Sequence, residues 1–335
     1  MKIDVFNHFL PPRYLEARNK KAASGWVLSR GSLWASKLPA IVDLDARFRI
    51  MDKYQDYLQI LTLGAPPPEK LVKPGDAVDL SKIANDEIAE LVMKYPDRFI
   101  AGIACLPMND IDAALEEIDR AIKALGFRGI QMATDINGRA IDSPEFMPIY
   151  EKMAYYDLPI LLHPQKDATA PDFEGEEGSK YNMWVKLNWP HMTSVTMVRL
   201  ACSGILEQYP NLKFVTHHAG GTIPYLASRI TLQGDMQEML FGYRYEAHLT
   251  KTIADYLRLF YYDTAVCGET SALMCARAFC GTEKLLFATD MPFDGESGLR
   301  LIRETIRSVE EMDIPDGERK MIYEGNTKRL FRLPR

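Results

Sequence analysis

The sequence lacks the features that mark several large protein classes. No apolar run approaches the ~20 residues needed to cross a bilayer, and no secretory-type apolar stretch follows the N-terminus. Together these two absences predict a cytoplasmic protein without a membrane partner. Lysine and arginine (40) are outnumbered by aspartate and glutamate (46), giving a net charge of −6 without a basic stripe. A nucleic-acid polyanion is therefore not an expected partner. The five cysteines are odd in number and never spaced Cys-x-x-Cys, which argues for reduced thiols packed as small hydrophobes rather than a disulfide framework. No Gly-x-Gly-x-x-Gly follows the first strand-like run, which weighs against dinucleotide binding.

Histidine is scarce as well, with six residues in 335, and that scarcity makes their placement informative. His8, His163, His217 and His218 all fall where short apolar runs end, and Asp290 ends another. The runs lie at residues 3–7, 57–63, 99–105, 128–132, 159–163, 212–216, 259–263 and 285–289. They are short and barely alternate, as strands covered on both faces should be. Amphipathic helices fill most of the gaps. Residues 111–125 place Ala114, Leu115, Ile118, Ala121, Ile122 and Leu125 on one stripe, closed by Gly126,. Ser143-Pro144 opens a further helix with a capping serine,. Two more helices are predicted over 194–209 and 297–312. Eight strands alternating with helices favour an α/β fold of the (β/α)8 barrel type.

Hydrophobic residues make up 47% of the chain, enough for a substantial core, and no interdomain linker stands out. A single domain over 1–335 is expected, with insertions at 11–46 and 165–193. Both insertions leave C-terminal strand ends, so they are expected to cover the barrel mouth as lids. Trp26 and Trp34 lie in the first; Trp184 and Trp189 lie in the second, where Trp189 is a candidate substrate contact. The alternative for these tryptophans is loop anchoring or a subunit contact.

A barrel gathers its strand tips at one face. His8, His163 and Asp290 thus form a candidate metal set, two imidazoles and a carboxylate that leave one position of a tetrahedral zinc open. A single strand-end histidine is more often a hydrogen-bonded core residue; the joint occurrence carries the inference. His218 is then free for general acid or base work. By strand alternation His217 is expected to pack or hydrogen-bond behind it. Gly220 and Gly221 are expected to let backbone approach a ligand. The residues alone leave the reaction open.

These strings, in this order, resemble the amidohydrolase superfamily, in the amidohydrolase-2 branch around aminocarboxymuconate semialdehyde decarboxylase. The resemblance runs through residues 47–52, 209–213, His218-Ala219-Gly220-Gly221, Pro224, Arg229 and residues 289–293. It implies metal ligation by His8, His163 and Asp290, with His218 as the catalytic histidine and Asp290 beside it. It also implies Arg47 and Arg229 on a substrate carboxylate, the second supplied by a neighbouring subunit of a homodimer or higher homo-oligomer. The expected metal is Zn²⁺, with Mn²⁺ or another divalent ion as alternatives. The sequence departs from the family in one respect. The first-strand His-x-His pair is here Phe6-Asn7-His8, and Phe6 cannot donate to a metal. Alternation points Phe6 into the missing ligand's place and Asn7 away. The leading expectation is metal-dependent nonoxidative decarboxylation of a small unsaturated or aromatic carboxylic acid. The alternatives are hydrolysis of an amide, lactone or ring C–C bond by metal-bound hydroxide, and a non-catalytic binding protein.

Overall fold

The computed structural model describes residues 1–21, 36–246 and 248–333. Trp26 and Trp34 lie outside the described residues. All eight predicted strands are present, several shorter than the apolar runs that announced them. Strand β1 is in two pieces, Lys2–Asp4 and His8–Phe9. It is followed by β2 (Tyr57–Leu63), β3 (Phe99–Gly102), β4 (Ile130–Ala133) and β5 (Ile160–His163). Strands β6 (Phe214–Thr216), β7 (Tyr261–Asp263) and β8 (Leu285–Leu286) complete the set.

Every neighbouring pair is parallel: β1 with β2, β2 with β3, and then β4 through β8 in sequence order. A bridge between Ala104 and Ile130 joins β3 to β4. The ring closes where Val5 N donates to Phe287 O (3.0 Å), Asp290 N to Phe6 O (3.0 Å) and His8 N to Met291 O (2.8 Å). This is the expected α/β barrel. Its interior is filled by residues such as Val5, Ile60, Ile103, Leu161, Val215 and Leu286, all fully buried.

Helices α1 (Pro12–Lys21), α2 (Leu44–Met51), α3 (Pro74–Lys94), α4 (Ile111–Lys123) and α5 (Met147–Tyr156) belong to the first half. Helices α6 (Trp189–Cys202), α7 (Ile223–Phe241), α8 (Thr270–Cys280) and α9 (Leu299–Glu310) belong to the second. Their boundaries follow local chemistry. Asp110 accepts from Ala113 N and starts α4,. Ser143 makes no such bond; Pro144 instead begins a single 3-10 turn that leads into α5. The helix predicted over 194–209 begins earlier, at Trp189, and breaks at Gly204 (φ 83°) before a short turn, Ile205–Gln208. Among the described residues no helix is long and apolar enough to cross a membrane.

The two insertions differ. The described start of the first is α1, whose N-terminal amides at Arg13 and Tyr14 donate to the Glu87 carboxylate on α3. This end packs against the barrel's outer helices. The second insertion is tied by Asp172, which accepts from Ser179 Oγ (3.0 Å), Lys180 N (2.9 Å) and Asn188 Nδ2 (2.9 Å). It then delivers Trp189 to the barrel mouth.

Asp4 holds the closure from within. Its fully buried carboxylate accepts from Thr289 Oγ1 (2.6 Å), Thr289 N (3.1 Å), Tyr57 OH (2.5 Å) and Phe6 N (3.2 Å). Burial outweighs these donors and raises its pKa from 3.8 to about 6. A folded value above the unfolded one gives stability that is complete below about pH 4 and lost as pH rises through 6. The difference corresponds to about 3 kcal/mol. Denaturant titrations should show the parent losing about that much relative to Asp4→Asn between pH 4 and pH 7. Parallel stability curves for the two proteins would remove this role from Asp4.

Candidate metal centre

Strand geometry decides which side chains reach the mouth. On β5, Leu161 points into the barrel, so His163 two residues on does the same, at the C-terminal tip,. On β6, Val215 points inward and His217 follows it, still extended at φ −80°, ψ 157°. The chain then turns left-handed at His218 (φ 56°) and Ala219 (φ 51°). That turn swings the His218 ring back over His217, with centroids 3.9 Å apart. Both imidazoles therefore face the site. The expectation that His217 lies behind is corrected: alternation continues through His217, and His218 belongs to the turn.

Asp290, itself left-handed at φ 61°, is the hub. Its Oδ1 lies 3.1 Å from His8 Nε2 and 3.3 Å from His217 Nε2, and its Oδ2 lies 3.6 Å from His218 Nε2. The His163 ring stands edge-on to His8 at 5.1 Å, and its Nδ1 is 2.8 Å from Pro164 O, which leaves Nε2 for the site. Donor atoms of His8, His163 and His217 all lie within 4.8 Å of one another, as do those of His217, His218 and Asp290. His8 Nδ1 and Nε2, and His217 Nε2, are buried without a hydrogen bond of acceptable geometry. Buried polar atoms are normally satisfied, so converging imidazole nitrogens left open in this way fit a cation as the missing partner.

The electrostatics agree with that fit. Burial lowers the pKa values of His8, His163 and His218, so these rings are neutral and offer lone pairs,. His217 behaves oppositely. Burial opposes its charge, yet Asp263 and Asp290 raise it to about 10. For Asp290, burial favours protonation, but the charge on His217 and the imidazole nitrogens of His217, His218 and His8 around it hold it well below the usual carboxylate range.

Asn7 faces away, as predicted, donating to Ile60 O (2.9 Å) and accepting from Arg47 Nη2 (2.6 Å). Phe6 fills the vacated place and stacks on His217 at 4.0 Å with 13° between planes. Trp189 stands edge-on to His163 at 5.3 Å, its indole N–H donating to Lys166 O (3.2 Å). The glycines have another use than the one expected. A Cβ on Gly221 would collide with Pro190 O, and one on Gly220 with the Tyr262 ring; the turn is packed against protein.

Arg47 is not brought to the mouth. Fully buried, it donates through Nε to Gln59 Oε1 (2.8 Å), through Nη1 to His8 O (2.9 Å) and Ala40 O (3.0 Å), and through Nη2 to Asn7. Its donors are spent inside the fold, and it positions the His8 backbone. Arg229 lies exposed on α7. Sequence reasoning missed Asp263, which accepts from His217 Nδ1, Ala219 N (2.9 Å) and Ala265 N (3.1 Å). It ends the seventh apolar run, so the strand-tip pattern that marked Asp290 marks it too.

The amidohydrolase family model matches residues 3–333. The chain is 31% identical to gamma-resorcylate decarboxylase from Polaromonas sp. (strain JS666), over 90% of this chain and 91% of the relative. It is 28% identical to 2-amino-3-carboxymuconate-6-semialdehyde decarboxylase from Dictyostelium discoideum, over 93% and 87%. Among solved structures it superposes on dihydroxybenzoic acid decarboxylase from Polaromonas sp. JS666, which holds manganese and the inhibitor 2-nitroresorcinol. That match has a TM-score of 0.81 and 28% identity, and covers 100% of this chain and 97% of the other.

If Arg47 is an internal clamp, Arg47→Met should lower unfolding free energy by about 3 kcal/mol, the scale for removing one partner from a buried polar network. Full stability coupled to a large rise in KM would instead return Arg47 to the substrate.

Proposed function

The chain belongs to the amidohydrolase family, and from that premise we propose that it is a metal-dependent decarboxylase that removes the carboxyl group of a small aromatic acid without oxidation. One observation carries the proposal: neutral imidazoles with open nitrogens converge with an ionised carboxylate at the barrel mouth, in a chain whose relatives are decarboxylases. His8, His163 and Asp290 would hold the metal. A bound divalent cation supplies a Lewis acid that fixes and polarises a substrate oxygen. The imidazole-rich donor set supports zinc, whereas the solved dihydroxybenzoic acid decarboxylase contains manganese. Metal analysis of protein purified without added salts separates the two.

His218 is the proton donor in this account. Its side chain is 17% exposed while His8 and His217 are fully covered, so it alone of these three rings meets both the open mouth and the Asp290 carboxylate. Burial and the neighbouring charge on His217 keep it neutral at rest, so in each turnover it takes up a proton from solvent at the mouth and gives it up as a stronger acid than free imidazolium,. It places a proton on the ring carbon that bears the carboxylate. The carbon–carbon bond then breaks, carbon dioxide leaves, and the bonding electrons return to the ring. Trp189 walls the pocket beside His163 and offers an aromatic face to the substrate,.

The carboxylate clamp falls to Arg229. On α7 it shares a stripe with exposed Tyr225, Leu232, Met236 and Leu240, an apolar face of the kind that marks contact surfaces. A second copy on this face would cover the stripe and carry Arg229 toward the partner's mouth, where its planar fork suits a carboxylate.

His218→Asn should reduce carbon dioxide release from hydroxybenzoates about 10²- to 10⁴-fold while metal content stays at the parent level. Near-parent turnover would reassign the proton donor, and a hydrated product in place of carbon dioxide would make the enzyme a hydrolase. Leu232→Glu with Met236→Glu should shift sedimentation from dimer to monomer and abolish turnover with the fold intact. An unchanged oligomer would remove α7 from the interface.

A further inference from the structure

Resting on the metal-centre reading above, we infer that His217 is a metal ligand that replaces, from the sixth strand, the donor lost from the first strand at Phe6. The family's first-strand pair would give four protein ligands together with residues 163 and 290; with Phe6 the count falls to three. His217 restores it. Its Nε2 lies 3.3 Å from Asp290 Oδ1, the same oxygen that lies 3.1 Å from His8 Nε2. Ligand atoms on one tetrahedral zinc are themselves ~3.4 Å apart, given bonds of about 2.1 Å, so these spacings suit donors to a shared ion.

The ring is also oriented as a ligand would be. Nδ1 is engaged by Asp263, whose other oxygen is fixed by the amides of Ala219 and Ala265. A histidine ligand usually has its second nitrogen bound to such a carboxylate, which sets the tautomer and the ring direction. Phe6 lies flat against the ring at 4.0 Å and blocks rotation away from the cluster. Nε2 is left fully buried without a hydrogen bond of proper geometry. A merely structural histidine at this depth would have both nitrogens satisfied. Asp263 is then a positioning residue, and Phe6 is the packing partner of the ligand that took over its family role.

The test is metal affinity, measured without turnover. Metal-stripped protein is titrated with Co²⁺ in competition with a chelator, and the visible absorption of the bound ion reports the donor set. His217→Asn should weaken Co²⁺ binding at least 100-fold and change the spectrum. Asp263→Asn should weaken it 10- to 100-fold, the range for partners of ligands. Phe6→His combined with His217→Asn should recover at least tenfold, because the donor returns to the first strand. Circular dichroism and melting of each metal-free variant exclude unfolding as the cause. Parent affinity and spectrum in a folded His217→Asn would overturn the inference alone. An unmodified protein that binds no Co²⁺, Zn²⁺ or Mn²⁺ would sink the metal-centre reading itself, and this inference with it.

Discussion

The seam between the first and last strands is the constraint on which the rest depends. Residues 4 to 8 and 287 to 291 are joined by main-chain bonds, and the Asp4 carboxylate ties Thr289 to Tyr57 beneath them. Chain closure over so long a loop is entropically expensive, and parallel strands are slow to find one another. The buried polar contacts of Asp4 with Thr289, Tyr57 and Phe6 help to offset that cost at the seam. Its functional consequence is direct. Asp290 N donates to Phe6 O, and that bond sets the left-handed Asp290 beside His8, 3.1 Å from it. Loosening the seam would separate the two ends of the chain and dismantle the cluster.

Much of this was legible in the sequence because a barrel translates one-dimensional spacing into a ring. Short apolar runs mark the strands and their C-terminal tips mark the mouth, where the structure groups His8 and His163 with His217, and His217 with His218 and Asp290. What escaped was set by contacts that spacing does not encode. Nothing in the spacing around Arg47 shows that it turns inward as a brace; the acceptors that decide it, Gln59 Oε1, Ala40 O and His8 O, come from three separate segments. The glycines after His218 are needed, but Pro190 O and the Tyr262 ring impose the need. The place of His217 depends on the inward direction of Val215, which only the packed barrel reveals, and on the left-handed turn at His218.

The cluster is electrostatically unusual in a way that bears on its chemistry. Two carboxylates lie on either side of His217, Asp263 fully buried and Asp290 with 19% of its side chain exposed at the mouth. Ionised groups at such depth cost several kcal/mol each unless paired. Without a cation, a proton on His217 is the compensating charge, which is why that imidazole is raised to about 10 while its three neighbours are lowered. A divalent ion among the same atoms meets the same need with a doubled charge and frees the proton. The site is thus built for positive charge whichever form supplies it.

Phe6 shapes this arrangement through its stack on His217. An aromatic ring in place of a ligand removes a donor, but it also provides a flat surface on which an imidazole can be held. Its contact with His217 is a nearly parallel stack, whereas its contacts with His8 and His163 are tilted and longer, at 5.8 and 6.0 Å. The stacking energy is therefore directed at one ring, the one whose far nitrogen Asp263 already fixes. First-strand ligation depends on a single segment's register, whereas His217 is braced from the first, seventh and eighth strands together. A donor held on three sides tolerates local motion of any one of them, so the exchange moves the metal's attachment from the chain's N-terminal edge toward the middle of the closed ring.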